Sequence, residues 1–314
     1  MIDWSAIPRP DFLQGDRRVA YRDPAGHYHD GVFRVFHSRV IRETPDRYDW
    51  RVAVTESRNL IDWTEPRVIT PHGSADEYAS PGNVIRYDGR WLICLQVYSL
   101  DHEPSGRSPR IATMASDDLI HWRDPEIMLV EGPDVPVAAM DRMIDAYLFQ
   151  DKDDDRKWWC FYKDKGRADR PGIAPDGRKR PLRGVVGTAY TYDFRAWRYH
   201  GFFRAWENVC VLVDGDEYFL LHSPRNGIGV RRAKDMAHWR PCGVWTLGQA
   251  DWPWAQGRLS APHVLDLRDR PEVGKYVMFF HGSTRAGVAE NEPFGESSLG
   301  LAWSDDLAHW SWPS

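Results

Sequence analysis

Three acidic residues stand at matching places in a repeated pattern. Asp23 lies seven residues before Asp30-Gly31, and Glu207 lies seven before Asp214-Gly215. Asp145 lies eight before Asp153, in the acidic stretch Asp151-Lys-Asp-Asp-Asp-Arg156. Two further repeats carry Ser80-Pro81 and Ala261-Pro262 at this place. Carboxylates brought together on one axis repel, and their pKa values must split. Cleavage of a glycosidic bond uses such a split, with one protonated and one ionised carboxyl across the scissile bond. A third carboxylate nearby holds the acid protonated by like-charge repulsion.

The elements that would position these acids form an internal repeat. The copies read Ser57-Arg-Asn-Leu-Ile-Asp-Trp63, Ser116-Asp-Asp-Leu-Ile-His-Trp122, Tyr192-Asp-Phe-Arg-Ala-Trp197, Ala233-Lys-Asp-Met-Ala-His-Trp239 and Ser304-Asp-Asp-Leu-Ala-His-Trp310. Upstream of the copies run apolar strand, turn and aromatic strand, as in Asn83-Val-Ile-Arg-Tyr-Asp-Gly-Arg-Trp-Leu-Ile-Cys94. Asp-Gly between apolar runs signals a tight hairpin, because it supplies positive φ. About four strands per repeat is the content of one propeller blade. The expectation is an all-β, five-bladed propeller in a single domain over 1–314. Blades are predicted near 17–66, 78–125, 141–200, 206–242 and 258–314, with residues 1–16 closing the ring against the last. A β-sandwich does not account for a fivefold repeat. Long loops are expected at 165–183, 244–257 and 284–297. In a propeller the first strand of each blade lines the central channel, so Asp23, Asp145 and Glu207 should converge at one mouth.

Composition narrows the function. A net charge of -5 and a pI near 6.2 exclude a general nucleic-acid binder. No run approaches the roughly 18 apolar residues of a membrane span. The start of the chain lacks the basic and apolar regions of a secretory signal, which predicts a cytoplasmic protein. Cys94, Cys160, Cys210 and Cys242 are far apart and read as free thiols, with no zinc spacing among them. The 16 Trp and 13 Tyr serve the repeat, and the surplus suits a sugar cleft. No nucleophile elbow, phosphate loop or dinucleotide fingerprint occurs.

Tyr21-Arg22-Asp23-Pro24 with His29-Asp30-Gly31, Met143-Ile144-Asp145-Ala146 with its Asp-rich turn, and Ala205-Trp206-Glu207-Asn208 before Asp214-Gly215 resemble three blades of glycoside hydrolase family 43. The resemblance runs over nearly the whole chain. It implies Asp23 as general base, Asp145 as the residue tuning the acid's pKa, and Glu207 as general acid, with inversion at the anomeric carbon. Ala146 stands where the family usually has Pro, and Asn208-Val209 where Gly-Pro commonly follows the acid. The implied substrate is a short oligosaccharide or glycoside of a pentose, furanoside or pyranoside. No cofactor is required by this chemistry. The family also implies a calcium ion near the axis, beside His263 of Ser260-Ala-Pro-His263, with His281 close by. Family 32 is the related alternative, a retaining fructosidase or transglycosidase with Asp23 as nucleophile. Asp23-Pro-Ala-Gly26 matches its first blade in part, but its Glu-Cys acid is missing. A non-catalytic carbohydrate-binding propeller is the third reading.

Residues proposed to contact sugar are Trp206, Asn83, Arg225 and His263. Glu77 is a substitute acid, and Arg22 and Arg142 flank the carboxylates. The pair Asp101 and His102 reads as loop chemistry. Oligomeric state is not assigned by these patterns.

Overall fold

The computed structural model describes all residues except 45–46, 72–75, 100–107, 132–142, 165–170, 174–178, 182–183, 284–295 and 314. Arg142, Asp101, His102 and most of the loops expected at 165–183 and 284–297 lie outside the described residues. Five sheets follow one another along the chain as blades of a ring, antiparallel except where Val130–Glu131 pairs in parallel with Trp197–Arg204 at the edge of blade 3. Blade 1 runs from Val19–His29 at the axis through Val32–Thr44 and Arg47–Ser57 to Arg67–Val68 at the rim. In blade 2 the inner strand is broken into Glu77–Ala79 and Val84–Tyr87, both paired with Arg90–Ser99. Met143–Gln150, Glu207–Asp214 and Arg258–Asp266 are the inner strands of blades 3, 4 and 5. The predicted boundaries hold to within a few residues.

The ring closes as expected. Asp11–Leu13 joins the outer side of blade 5, pairing with Ser298–Ser304 beside the C-terminal strand Trp310–Ser311. Both ends of the chain thus share one sheet. No described helix is long and apolar enough to cross a membrane.

The repeated motif is a capped turn with an aromatic anchor. In blade 2, Ser116 Oγ accepts from the N–H groups of Asp118 (3.2 Å) and Leu119 (2.9 Å). Asp118 Oδ1 accepts from those of Ile120 and His121, each at 2.8 Å. Short polar side chains satisfy the backbone here while Leu119 sits at φ +65°. The Trp that follows packs onto the preceding blade. Trp122 meets Phe36 of blade 1, and Trp239 stacks on Phe203 of blade 3 at 5.0 Å. Trp310 meets Trp245 of blade 4, and Trp63 stacks on Phe12 at 4.2 Å in the closing segment. Each such pair adds about 0.5–1.5 kcal/mol beyond area burial. The repeat therefore keeps Trp because it joins blades.

Candidate active site

The inner strands of blades 1, 3, 4 and 5 each carry a bulge near the start, between Arg22 and Ala25, Ile144 and Tyr147, Glu207 and Cys210, and Ser260 and His263. In blade 2 the strand break falls at the same level. The central residue of each irregularity has positive φ: Asp23 (51°), Ser80 (43°), Asp145 (53°), Asn208 (51°) and Ala261 (50°). Side chains other than Gly pay on the order of 1–3 kcal/mol in such conformations, and they cluster where a site overrides the local cost. A bulge re-aims its side chains, here toward the axis. These five residues, with Pro24, Pro81, Gly82, Ala146, Val209, Pro262 and His263, line an axial cavity of about 20 Å³. That is room for about one water molecule.

This register corrects the sequence alignment by one residue. In blade 1 the hairpin turn is Asp30-Gly31, because His29 pairs with Val32. In blade 4 Asp214 still pairs with Glu217, so the turn is Gly215-Asp216. The residue equivalent to Asp23 and Asp145 is therefore Asn208, and Glu207 corresponds to Arg22. Two carboxyls occupy the ring itself. Glu207 reaches the site from the adjacent position.

Asp23 is 8% exposed and held from three blades. Its Oδ2 accepts from Ser38 Oγ (3.1 Å) and Ser80 Oγ (3.2 Å), and its Oδ1 from Asn208 Nδ2 (3.5 Å). Its backbone N–H donates to His281 Nδ1 at 3.1 Å. Burial, then Arg22 and Arg258, push His281 well below the usual imidazole range. The 3.6 Å approach of that same Nδ1 to Asp23 Oδ1 is therefore no ion pair.

The other two carboxyls sit in opposite surroundings. Burial, reinforced by the charges of Glu207 and Asp23, raises the pKa of Asp145 despite Lys163. Burial also acts on Glu207, but Lys163 and Arg258 outweigh it and lower that pKa. Lys163 Nζ donates to Glu207 Oε2, and Arg258 Nη2 donates to Oε1 at 2.9 Å. These surroundings favour the protonated form of Asp145 and the anion of Glu207. Lys163, Arg258 and Ser38 were not singled out in the sequence. The signal for Lys163 was a lone cation ending the apolar run Trp158-Trp-Cys-Phe-Tyr-Lys163.

The secondary candidates divide. Trp206 is 39% exposed beside Glu207, and Arg225 is exposed on the loop leaving the strand that pairs with Glu207. Both have exposed side chains. Asn83 does not: it is buried, donates from Nδ2 to Leu148 O (2.7 Å) and accepts at Oδ1 from Leu148 N–H (2.9 Å). Its amide serves the backbone between blades 2 and 3, which overturns the sugar-ligand reading. Glu77 is buried in the inner strand of blade 2, three residues before Ser80. A larger groove of about 540 Å³ lies at the rim of blades 2 and 3. Its aromatics are engaged with each other, Tyr87 on Phe194 at 4.0 Å, and the buried carboxyl cluster lies elsewhere.

His263 tests the calcium expectation. Its Nδ1 accepts the Gly26 N–H at 3.1 Å, so the ring proton is on Nε2. Burial pushes its pKa down to about 3, which keeps the ring neutral. Buried Nε2 has no partner among the described residues and carries a hydrogen, not a lone pair for a metal. Calcium also prefers oxygen ligands. Among the described residues, no three His, Cys, Asp or Glu side chains group to hold a metal. The residues at the axis do not fit a histidine-bound calcium. His263 lines the cavity as a donor.

No protein-family model and no curated protein matches the sequence. Solved structures do match in fold. One is a thermostable family 43 glycoside hydrolase (13% identity, TM-score 0.65, 98% of this chain and 96% of the other). Another is the catalytic domain of a family 62 α-L-arabinofuranosidase of Coprinopsis cinerea (14%, 0.64, 94% and 97%). A third is a family 43 β-xylosidase/α-arabinofuranosidase from a compost microbial metagenome, in complex with xylotriose in a calcium-free form (16%, 0.61, 95% and 95%). The chain is thus a five-bladed β-propeller of the architecture found in these glycosidases.

Proposed function

We propose that the chain is a glycoside hydrolase acting on short pentose-containing oligosaccharides or glycosides. The observation that carries this is the cluster at one propeller mouth, where Asp23, hydrogen-bonded to Ser38, Ser80 and Asn208, shares the axial cavity with Asp145 while Lys163 and Arg258 hold Glu207 at the adjacent position. One protonated and one ionised carboxyl is the requirement of glycosidic cleavage. Asp23 is the base, oriented toward the axis by Ser38, Ser80 and Asn208. Its task is to take a proton from water as that water attacks the anomeric carbon. The proton for the leaving oxygen comes from the Asp145–Glu207 pair. The exposed face of Trp206 supplies a wall for a sugar ring. The pentose choice follows the structural neighbours, whose descriptions name β-xylosidase, α-arabinofuranosidase and xylotriose.

The test is a hydrolysis screen over aryl arabinofuranosides, xylosides, galactosides and fructosides, sucrose and short arabinans and xylans. Anomeric configuration is followed by NMR. Release with inversion is expected. Release with retention would make Asp23 a nucleophile, as in the fructosidase reading. Binding without release from any substrate would favour a carbohydrate-binding propeller.

A further inference from the structure

The Trp turn of blade 3 departs from the other four. In those, the residue after the capping Asp or Asn is aliphatic and buried: Leu60, Leu119, Met236 and Leu307. Blade 3 has Phe194 there, at a positive φ (56°) like the three leucines but only partly buried. The next place is Ile61, Ile120, Ala237 or Ala308 in the others and Arg195 in blade 3. One place further on, the others close the cap with a second polar side chain. Asp62 meets Asn59 (2.8 Å), His121 meets Asp118 (2.7 Å), His238 meets Asp235 (3.0 Å) and His309 meets Asp306 (2.8 Å). Blade 3 has Ala196 instead. Asp193 bonds the backbone through Oδ1, and its Oδ2 has no hydrogen bond among the described residues. Folding does not require these changes, since four blades close the turn without them.

Asp193, Phe194 and Arg195 all line the groove of about 540 Å³ between blades 2 and 3. That volume lies in the range of ligand clefts, roughly 300–1,000 Å³. Its floor is aromatic: Phe194 lies 4.0 Å from Tyr87 of blade 2 and meets Trp158 and Trp197 edge-on, each at 5.3 Å. Ile127 and Leu129, on the segment leaving blade 2, also line it and are 40% and 50% exposed. The side chains of Asp88, Asp124, Glu126 and Arg195 make no hydrogen bond or ion pair among the described residues. The other two arginines of the lining, Arg90 and Arg123, meet on Asp117. Three arginines thus stand against four carboxylates, a near balance that suits a neutral ligand better than a phosphate or a polycation. Sugar hydroxyls both donate and accept, so they can use free carboxylates and a free guanidinium together. The apolar face of a sugar ring fits an aromatic floor. The groove lies away from the carboxyl cluster: Asp88 follows the far end of the inner strand that Ser80 precedes.

We propose that the groove between blades 2 and 3 is a second saccharide site, which binds a neutral oligosaccharide remote from the axial carboxyls. The inference goes beyond the hydrolase reading and does not depend on it. Phe194 and Tyr87 supply the platform, and Asp193, Glu126 and Arg195 supply hydrogen bonds to hydroxyls. The turn of blade 3 gave up its aliphatic plug and its closed cap, and both losses open onto the groove.

Methyl NMR on the full chain tests this, with Asp23→Asn present to suppress turnover. The probes are xylotriose, arabinotriose and cellotriose, with trigalacturonate as an anion of similar size. The Ile127 and Leu129 signals should shift with at least one neutral probe, and trigalacturonate should bind there more weakly. Phe194→Leu, Arg195→Ala and Ala196→His together give blade 3 the turn sequence of blade 5, which this fold already closes. The combined variant should weaken the binding seen at Ile127 and Leu129 by about tenfold or more. Its turnover of an aryl glycoside, measured without Asp23→Asn, should be unchanged. Glu126→Ala, which removes one exposed carboxylate, should weaken the same binding in smaller measure even if the combined variant folds poorly. Signals that stay in place with all three neutral probes, undiminished binding by both variants, or a preference for trigalacturonate overturns the proposal. If no glycoside is turned over, the hydrolase reading fails and the methyl shifts still decide the groove. Normal turnover with unmoved signals sinks the groove alone.

Discussion

The side chain of Asn83 in blade 2 bonds both the N–H and the carbonyl of Leu148 in blade 3, at 2.9 and 2.7 Å. One amide thus does for two blades what a ladder does within one. Asn83→Ala leaves both backbone groups buried and unpaired. The expected loss is about 2–4 kcal/mol, read by urea denaturation. A sugar-binding asparagine would instead raise KM and leave the unfolding midpoint in place.

Gly82 lies next to that clamp. A Cβ there would sit 1.6 Å from the carbonyl oxygen of Ala146, which is backbone and cannot turn aside. Gly82→Ala should force blades 2 and 3 apart at the axis. Loss of soluble protein, or destabilisation beyond about 4 kcal/mol, is the expected outcome in an expression and melting assay. A near-normal melt would mean that the blades do not approach this closely.

Ala261 holds the same strained backbone as Asp23 and Asp145, at φ +50°, with no polar side chain to use it. Glycine adopts that conformation without the Cβ clash. Ala261→Gly should be neutral to stabilising by up to about 1 kcal/mol, although Ala→Gly elsewhere usually destabilises. A clear loss of stability would place Ala261 at another φ.

The pH dependence follows from Asp145. Its pKa is raised in the folded chain, so its contribution to stability is complete below the unfolded value and is lost as pH rises through the folded one. Asp145→Asn has no such loss. The stability of the natural chain relative to this variant should fall by on the order of 2 kcal/mol from acid to mildly alkaline pH. Paired melts across that range measure it, and a flat difference would refute the raised pKa.

Calcium and chelator provide a simple check on His263. With its ring proton on Nε2, millimolar calcium or EDTA should leave the melting temperature unchanged. A rise with calcium would require the opposite tautomer and loss of the Gly26 hydrogen bond.

Much of the ring was legible because it is periodic. Asp30-Gly31 and Asp88-Gly89 both adopt the positive φ their composition demands, and the Trp turns recur at fixed places. Asp23 and Asp145 were legible for the same reason. Glu207 was placed one residue off because an Asp-Gly pair looks alike whether its Asp ends a strand or opens a turn. Only the Asp214–Glu217 pairing separates the two. Lys163 and Arg258 are far apart in sequence and belong to no repeat, so their meeting on Glu207 was invisible to spacing. Asn83 was misread because a buried amide bonded to backbone and a sugar ligand look identical as letters.

The pairing of Asp11 with Gly300 carries a consequence for how the protein is made. A strand that precedes blade 1 adds to a sheet whose other members follow blade 4. During translation blades 1 to 4 can form in order, but the closing edge waits for blade 5. Closing so long a loop is entropically costly and slows the final step. Until then an unpaired early strand and an open sheet edge coexist, the combination most prone to pairing with another chain. A refolding experiment should therefore find blade 5 acquiring amide protection last.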